Sequence, residues 1–152
     1  MEAQDDMRGL DLVLQAKIAL TVLAWCIPLL LFPAGLLEWL GFVVPEPRVF
    51  LRLLGMAYAA LVLGYMLGLQ QLRAGVFPAQ AVRVGVLSNG GACALLVLYA
   101  VRGAWSDWGA FAQVFMWGSL LGTGAITLGL VVFGLGATRA GRSQAAGARP
   151  GR

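Results

Sequence analysis

Histidine is absent from the 152 residues of this chain. Its absence removes the commonest transition-metal ligand, the usual axial ligand of haem and the usual base at neutral pH. Cysteine is scarce as well: Cys26 and Cys93 stand in different apolar segments without C-x-x-C spacing. Isolated cysteines of this kind are typical of small packing residues, although the sequence leaves open whether these two ever pair. We expect no cofactor and no metal.

Charged residues are also few, at 12%, while hydrophobic residues make up 60% and the mean hydropathy is +0.82. A soluble domain of this length does not have such a composition, so the expected solvent is lipid. The net charge of +4 does not indicate a nucleic-acid partner, because the 11 basic residues are scattered and form no patch with interleaved aromatic residues.

Four apolar runs are long enough to cross a bilayer as helices, and they are separated by three short loops. They predict an all-α fold, an integral membrane four-helix antiparallel bundle. Residues 18–37 are uncharged for longer than the core of a signal peptide, so we expect a retained first span. The predicted organisation is a polar segment at 1–11, a transmembrane domain at 12–137 with spans at about 18–37, 49–69, 84–101 and 110–137, and a flexible basic tail at 138–152.

Two prolines interrupt the first apolar run. Pro28 and Pro33 each lack an N–H group and crowd the carbonyl four residues earlier, at Ala24 and Leu29. We therefore expect a bend in this span, with neighbouring groups satisfying the backbone that the prolines leave unpaired.

Small residues recur along one face of two spans, at steps of three and four. Such faces let a neighbouring helix approach closely in lipid, so they predict helix-packing positions, although the pattern is common in membrane spans. The face of the fourth span is Gly118, Gly122, Ala125 and Gly129, and that of the second is Ala57, Ala60, Gly64 and Gly68.

Asn89 is the most polar residue in the middle of a predicted span, and Ser88 precedes it. A polar amide in hydrocarbon is costly unless it is paired, so Asn89 should face the interior of the bundle. Two roles stay open for Asn89, hydrogen bonding between helices and a ligand contact. Thr123 in the fourth span is a second candidate for such a contact, although a threonine can also bond to its own helix.

The basic residues divide unequally between the two sides of the predicted bundle. Eight lie with the termini and the second loop if Lys17 is counted there, whereas Arg48, Arg52 and Arg102 lie on the other side. This excess predicts cytoplasmic termini and a location in the cytoplasmic (inner) membrane. Near the outer ends of the first two spans, Glu38 and Arg52 either form an ion pair or are hydrated separately.

The segment Phe50-Leu51-Arg52-Leu53-Leu54-Gly55-Met56-Ala57-Tyr58, followed by a Gly-rich third span, resembles small bacterial four-helix membrane proteins of the DoxX-like and uncharacterised-domain type. The shared features are an Arg, a Gly and a Tyr at the start of the second span of a four-span chain. The resemblance implies a four-helix architecture over residues 12–137. It also implies a link to quinone or thiol redox systems, for which this chain offers neither histidine nor paired cysteines.

Three functions stay open, and the absence of a nucleophile with a base, of a phosphate loop and of a mid-span carboxylate argues against catalysis. We expect first a non-catalytic membrane subunit or assembly partner that acts through helix packing. The alternative is a small carrier or a lipid- or quinone-binding bundle with a polar site near Asn89, and a quinone-linked enzyme comes third. The expected partners are membrane lipid and another membrane protein or a second copy of this chain.

Overall fold

The computed structural model describes the backbone of residues 2–147 and the side chains of residues 6–134. Within residues 2–147 the chain is helical and has no strand. A π-helical turn at Val22–Cys26 joins the first two helices. The helices are α1 (Glu2–Thr21), α2 (Ile27–Leu31), α3 (Ala34–Trp39), α4 (Val49–Arg73), α5 (Ala79–Val101) and α6 (Ala110–Gly147).

Four helical stretches are long and apolar enough to cross a membrane. The all-α class and the number of candidate spans are therefore confirmed, and the chain has the character of a multi-pass membrane protein. The four stretches are Asp6–Leu31, Val49–Arg73, Ala79–Val101 and Ala110–Gly134.

The first candidate span begins and ends earlier than the sequence prediction of residues 18–37. Helix α2 ends at Leu31 because Phe32, which precedes Pro33, takes an extended conformation with ψ of 134°. In front of Pro28 the helix widens: the N–H of Ile27 bonds to the carbonyl of Val22, five residues earlier. The earlier start places Lys17 well inside the helix.

Within the described residues, helical backbone extends beyond the predicted transmembrane domain 12–137 on both sides. Helix α1 begins at Glu2, within the predicted polar segment 1–11. Helix α6 continues to Gly147, so residues 138–147, predicted as part of a flexible tail, have a helical backbone. The rest of that predicted tail, residues 148–152, lies outside the described residues.

The main hydrophobic core lies between α1, α4 and α6. Its buried members are Leu10, Leu14, Tyr65, Leu72 and Leu130, and all are at most 5% exposed. Helix α6 packs against both α1 and α5, and α4 contacts α1, α2 and α5. The four long helices therefore surround one core.

A cluster of aromatic side chains lies at the π-helical turn. The ring of Trp25 lies 5.4 Å from that of Tyr58 and 5.3 Å from that of Phe115, measured between ring centres. Phe42 of the first loop reaches the same Phe115 at 5.5 Å, edge to face. The cluster thus ties α4, α6 and the first loop to the π-helical turn.

The first and third loops meet through two glycines. The N–H of Gly109 donates to the carbonyl of Gly41 at 2.9 Å, and Gly41 has a φ of +87°. A side chain at Gly41 would overlap the backbone of Gly109. Only glycine allows both this φ and this close approach, and the contact brings the two loops to one end of the molecule.

Candidate functional site

Lys17 lies in the interior, although a lysine side chain is seldom fully buried. It is 4% exposed, and it shares a face of α1 with Leu10, Leu14 and Thr21, which are also buried. Steps of four, three and four residues keep these side chains on one side of a helix. This periodicity was the available signal for the burial of Lys17; the sequence interpretation instead counted Lys17 among the basic residues at a membrane boundary.

The Lys17 ammonium contacts two other helices. Its Nζ donates to Oδ1 of Asn89 on α5 at 2.9 Å and lies 4.4 Å from the centre of the Tyr65 ring on α4. The first contact is a buried hydrogen bond, and the second is a cation–π interaction. Lys17 therefore joins α1 to both α4 and α5.

Hydrogen bonds to the oxygen and to the nitrogen of its side-chain amide orient Asn89. Because an ammonium can only donate, the amide oxygen of Asn89 faces Lys17, while its Nδ2 donates to the carbonyl of Gly85 at 2.7 Å. The Ser88 hydroxyl lies 2.8 Å from that of Tyr65 and 3.3 Å from the Gly85 carbonyl. We refer to Lys17, Tyr65, Ser88 and Asn89 as the polar cluster; it combines the predicted Ser88 and Asn89 with two residues that were not selected as site residues.

The polar cluster finds its hydrogen-bond partners among its own members and the Gly85 carbonyl. Among the side chains that the structure describes, no buried nitrogen or oxygen atom lacks a hydrogen-bond partner. One groove lies beside Arg8 and Arg73, and a smaller one lies beside Arg52; neither is lined by Lys17 or Asn89. In this conformation the cluster joins α1, α4 and α5 through hydrogen bonds and a cation–π contact.

Arg52 forms a second polar connection between helices. Its Nη1 donates to the carbonyl of Leu29 at 2.7 Å, and its Nη2 donates to that of Phe32 at 2.9 Å. The Leu29 carbonyl is the one that Pro33 leaves without its helical donor. Arg52 therefore holds the break between α2 and α3.

The structure does not contain the ion pair that the sequence left open between Glu38 and Arg52. The ion pairs among the described side chains are Arg48 with Glu46 and Arg73 with Asp11. The unpaired carbonyls at the helix break take the donors of Arg52, which leaves Glu38 without that partner.

The hydroxyl groups that the structure describes in α6 bond to the backbone of the same helix. Thr123 donates to the carbonyls of Ser119 and Leu120, Ser119 donates to that of Phe115, and Thr127 donates to that of Thr123. No hydrogen bond joins Thr123 to Asn89 or to another member of the polar cluster.

The predicted small-residue faces are only partly occupied by other helices. A methyl group added at Gly129 would lie 2.9 Å from Cγ2 of Val13, and one at Gly68 would overlap Ala81. By contrast, a methyl group at Gly64, Gly118 or Gly122 would meet nothing within 4 Å. Ala125 is likewise exposed.

Four other glycines make close helix contacts that the sequence analysis did not select. A methyl group at Gly9, Gly55, Gly85 or Gly134 would lie 2.6, 2.9, 2.6 or 2.7 Å from a side chain of a neighbouring helix. They did not stand out because steps of three or four show which residues share a face, but not which face points inward.

The thiols in the described part of the chain are not paired with each other, and its carboxylates do not cluster with them. Cys26 and Cys93 are both free thiols. Among the described residues, no three Cys, Asp or Glu side chains lie close enough to hold a metal ion.

Comparisons with protein-family models, with curated proteins and with solved structures find no match to this chain. The resemblance to DoxX-like membrane proteins therefore stays a prediction.

Proposed function

We propose that this protein is a non-catalytic membrane subunit that binds another membrane protein, or a second copy of itself, through the exposed small-residue face of α6. The observation that carries the proposal is the open space over Gly118 and Gly122, where an added methyl group would meet no atom of the chain within 4 Å. In lipid, a strip of small residues lets a second helix approach closely and make extensive van der Waals contact. A further open glycine, Gly64 on α4, offers a second position of this kind.

The interior of the molecule supports a binding role over a catalytic one. The polar cluster bonds within itself and to the Gly85 carbonyl, and the hydroxyls of Ser119, Thr123 and Thr127 bond to their own helix. Acid, base or nucleophilic chemistry needs a reactive group that substrate can approach. Lys17, at 4% exposure, is not such a group in this conformation.

We propose a cytoplasmic membrane location, an antiparallel bundle and cytoplasmic termini. The burial of Lys17 and the inward direction of Arg52 remove both residues from the count of boundary charges. Seven basic residues (Arg8, Arg73, Arg83, Arg139, Arg142, Arg149, Arg152) then stand against Arg48 and Arg102. This excess favours cytoplasmic termini.

Cysteine labelling tests the orientation. In a variant without Cys26 and Cys93, a membrane-impermeant maleimide added to intact cells should label Glu46→Cys and should not label Ser143→Cys until the membrane is opened. The reverse labelling pattern would exclude cytoplasmic termini.

Glycine substitution tests the binding face. Gly122→Leu and Gly118→Leu should each reduce association at least fivefold, because the new side chain prevents close helix approach. Energy transfer between donor- and acceptor-labelled copies in vesicles measures association with a second copy. Cross-linking from Ala125→Cys in the native membrane measures association with another membrane protein.

The matched control is Gly91→Leu, which places the same side chain at an exposed glycine of α5 that also meets nothing within 4 Å. It should leave association unchanged. All three variants should melt like the unchanged protein in dilute detergent, since a Cβ added at any of these glycines meets no other part of the chain within 4 Å. If the α6 variants associate as well as Gly91→Leu does in both measurements, the proposed face is wrong.

A carrier or a lipid- or quinone-binding bundle with a site at Asn89 is the second candidate. The observation that favours it is Lys17, because ionisable residues inside membrane bundles commonly mark the path of a substrate or ion. Binding or transport that is lost in a folded Asn89→Ala variant would place this candidate first.

A further inference from the structure

An open groove of about 450 Å³ lies between α1 and the end of α4. Its lining residues are Met7, Arg8, Asp11, Leu12, Leu72 and Arg73. Arg73 is the last residue of α4 and of its candidate membrane span. The groove therefore lies at the margin of the apolar part of the molecule, where the headgroups of a bilayer would begin.

The charges of the groove leave a positive excess. Asp11 is already engaged: its Oδ1 accepts from Nε of Arg73 at 3.1 Å, and its Oδ2 accepts from the amide of Gln15. The two terminal nitrogens of Arg73 make no hydrogen bond to any described residue, and its side chain is 59% exposed. Arg8 is exposed and has no ion-pair partner among the described side chains.

The apolar part of the groove is continuous with the outer surface of α1. Leu72, 5% exposed, lines its inner side, and Leu12, 66% exposed, lies on its outer side. An exposed leucine beside two guanidinium groups matches a molecule that carries an anionic group and a hydrocarbon chain. Free phosphate would use only the guanidinium groups.

We propose that this groove binds an anionic phospholipid, with the phosphate between Arg8 and Arg73 and an acyl chain along Leu12. Guanidinium groups bind phosphate through paired, charge-assisted hydrogen bonds, and basic pockets between membrane helices recognise anionic headgroups. Asp11 acts as a positioning residue that holds the Nε of Arg73 and leaves the terminal nitrogens for the lipid. The site lies on α1 and α4, so it does not depend on the proposed partner face of α6.

The test compares phosphatidylglycerol with phosphatidylcholine of identical acyl chains, each added to the purified full-length protein in detergent. Native mass spectrometry measures the affinity for each lipid. The unchanged protein should retain phosphatidylglycerol at concentrations where phosphatidylcholine is lost. Arg8→Gln should weaken phosphatidylglycerol binding about fivefold, the value for loss of one basic side chain near a headgroup, and should weaken phosphatidylcholine binding less, because the choline cation offsets the charge of its phosphate.

Arg8→Gln is the main variant because Arg8 has no described ion-pair partner to lose, whereas Arg73→Gln would also release Asp11. Arg102→Gln is the matched control, since Arg102 is exposed just after the end of α5 and does not line the groove. It should keep the preference for phosphatidylglycerol. Equal losses in both variants, or none in Arg8→Gln, would overturn the proposal. Displacement of the lipid by a hundredfold excess of inorganic phosphate would also overturn it, because the site would then bind phosphate without the chain.

Discussion

Two basic side chains turn into the molecule, and they are paired in different ways. Lys17 of α1 bonds to a side-chain amide on α5 and lies against an aromatic ring on α4. Arg52 of α4 bonds to two backbone carbonyls, those of Leu29 and Phe32. The contacts of the lysine thus depend on the arrangement of three helices. The arginine instead donates to backbone carbonyls at a helix break that a proline creates. A basic side chain that turns into the molecule can therefore indicate either the packing of several helices or a break in one neighbouring helix.

The largest effect should come from removing the acceptor of Lys17. Asn89→Leu leaves a buried ammonium without its hydrogen-bond acceptor, so we expect a loss of about 3 kcal/mol in the free energy of unfolding. Lys17→Met combined with Asn89→Leu should recover most of that loss, because neither residue then carries an unpaired polar group. Equilibrium unfolding in mixed detergent micelles measures both.

If the double variant is no more stable than Asn89→Leu alone, the loss comes from packing and not from the unpaired ammonium. In that case the contrast between Lys17 and Arg52 would lose its basis.

A smaller effect is expected at the helix break. Arg52→Leu removes two charge-assisted hydrogen bonds and should cost about 2 kcal/mol of the free energy of unfolding. Hydrogen exchange should quicken at the N–H groups around Pro33 and stay unchanged around Lys17. Arg48→Leu is the control: its pair with Glu46 is exposed, so its loss should cost less than about 0.5 kcal/mol. Equal costs for the two variants would contradict a special role for Arg52.

The smallest effect on the free energy of unfolding is expected at Tyr65, beside the Lys17 ammonium. Tyr65→Phe keeps the ring beside the ammonium but removes the hydroxyl that bonds to Ser88. We expect a loss of about 0.5 kcal/mol, since hydrogen bonds between membrane helices average near that value. Tyr99→Phe, at a residue that is 50% exposed, should change nothing. A loss above about 2 kcal/mol in Tyr65→Phe would show that the hydroxyl, and not the ring, is the main contribution of this residue to the cluster.

The sequence predicted the acceptor of the Arg52 connection but not its donor. The rule that proline leaves the fourth preceding carbonyl unpaired identified Leu29 in advance. It could not identify the donor, because a guanidinium can reach a neighbouring helix from several positions. The packing of α2 against α4 brings Arg52 to this carbonyl, and the Arg52 terminal nitrogens bond there and not to Glu38.

Lys17 was misplaced for a different reason. Apolar runs were delimited by their charged residues, so a lysine automatically became a boundary. The periodicity of Leu10, Leu14 and Thr21 carries the opposite information, but a buried lysine is rare enough that it is rejected unless its acceptor is known. The acceptor, Asn89, lies on α5 and becomes a neighbour only in the folded chain.

The two bonds also differ in the order in which the chain is made. Arg52 follows its acceptors by 23 and 20 residues, so both exist when it is synthesised. Lys17 precedes Asn89 by 72 residues, which takes roughly 4 to 14 seconds at a translation rate of about 5 to 20 residues per second. During that interval the ammonium of the first helix lacks this acceptor, and its long, flexible stem lets the charge stay in a polar environment. The position of Lys17 is therefore fixed late, when α5 supplies the amide that Lys17 binds in the folded chain.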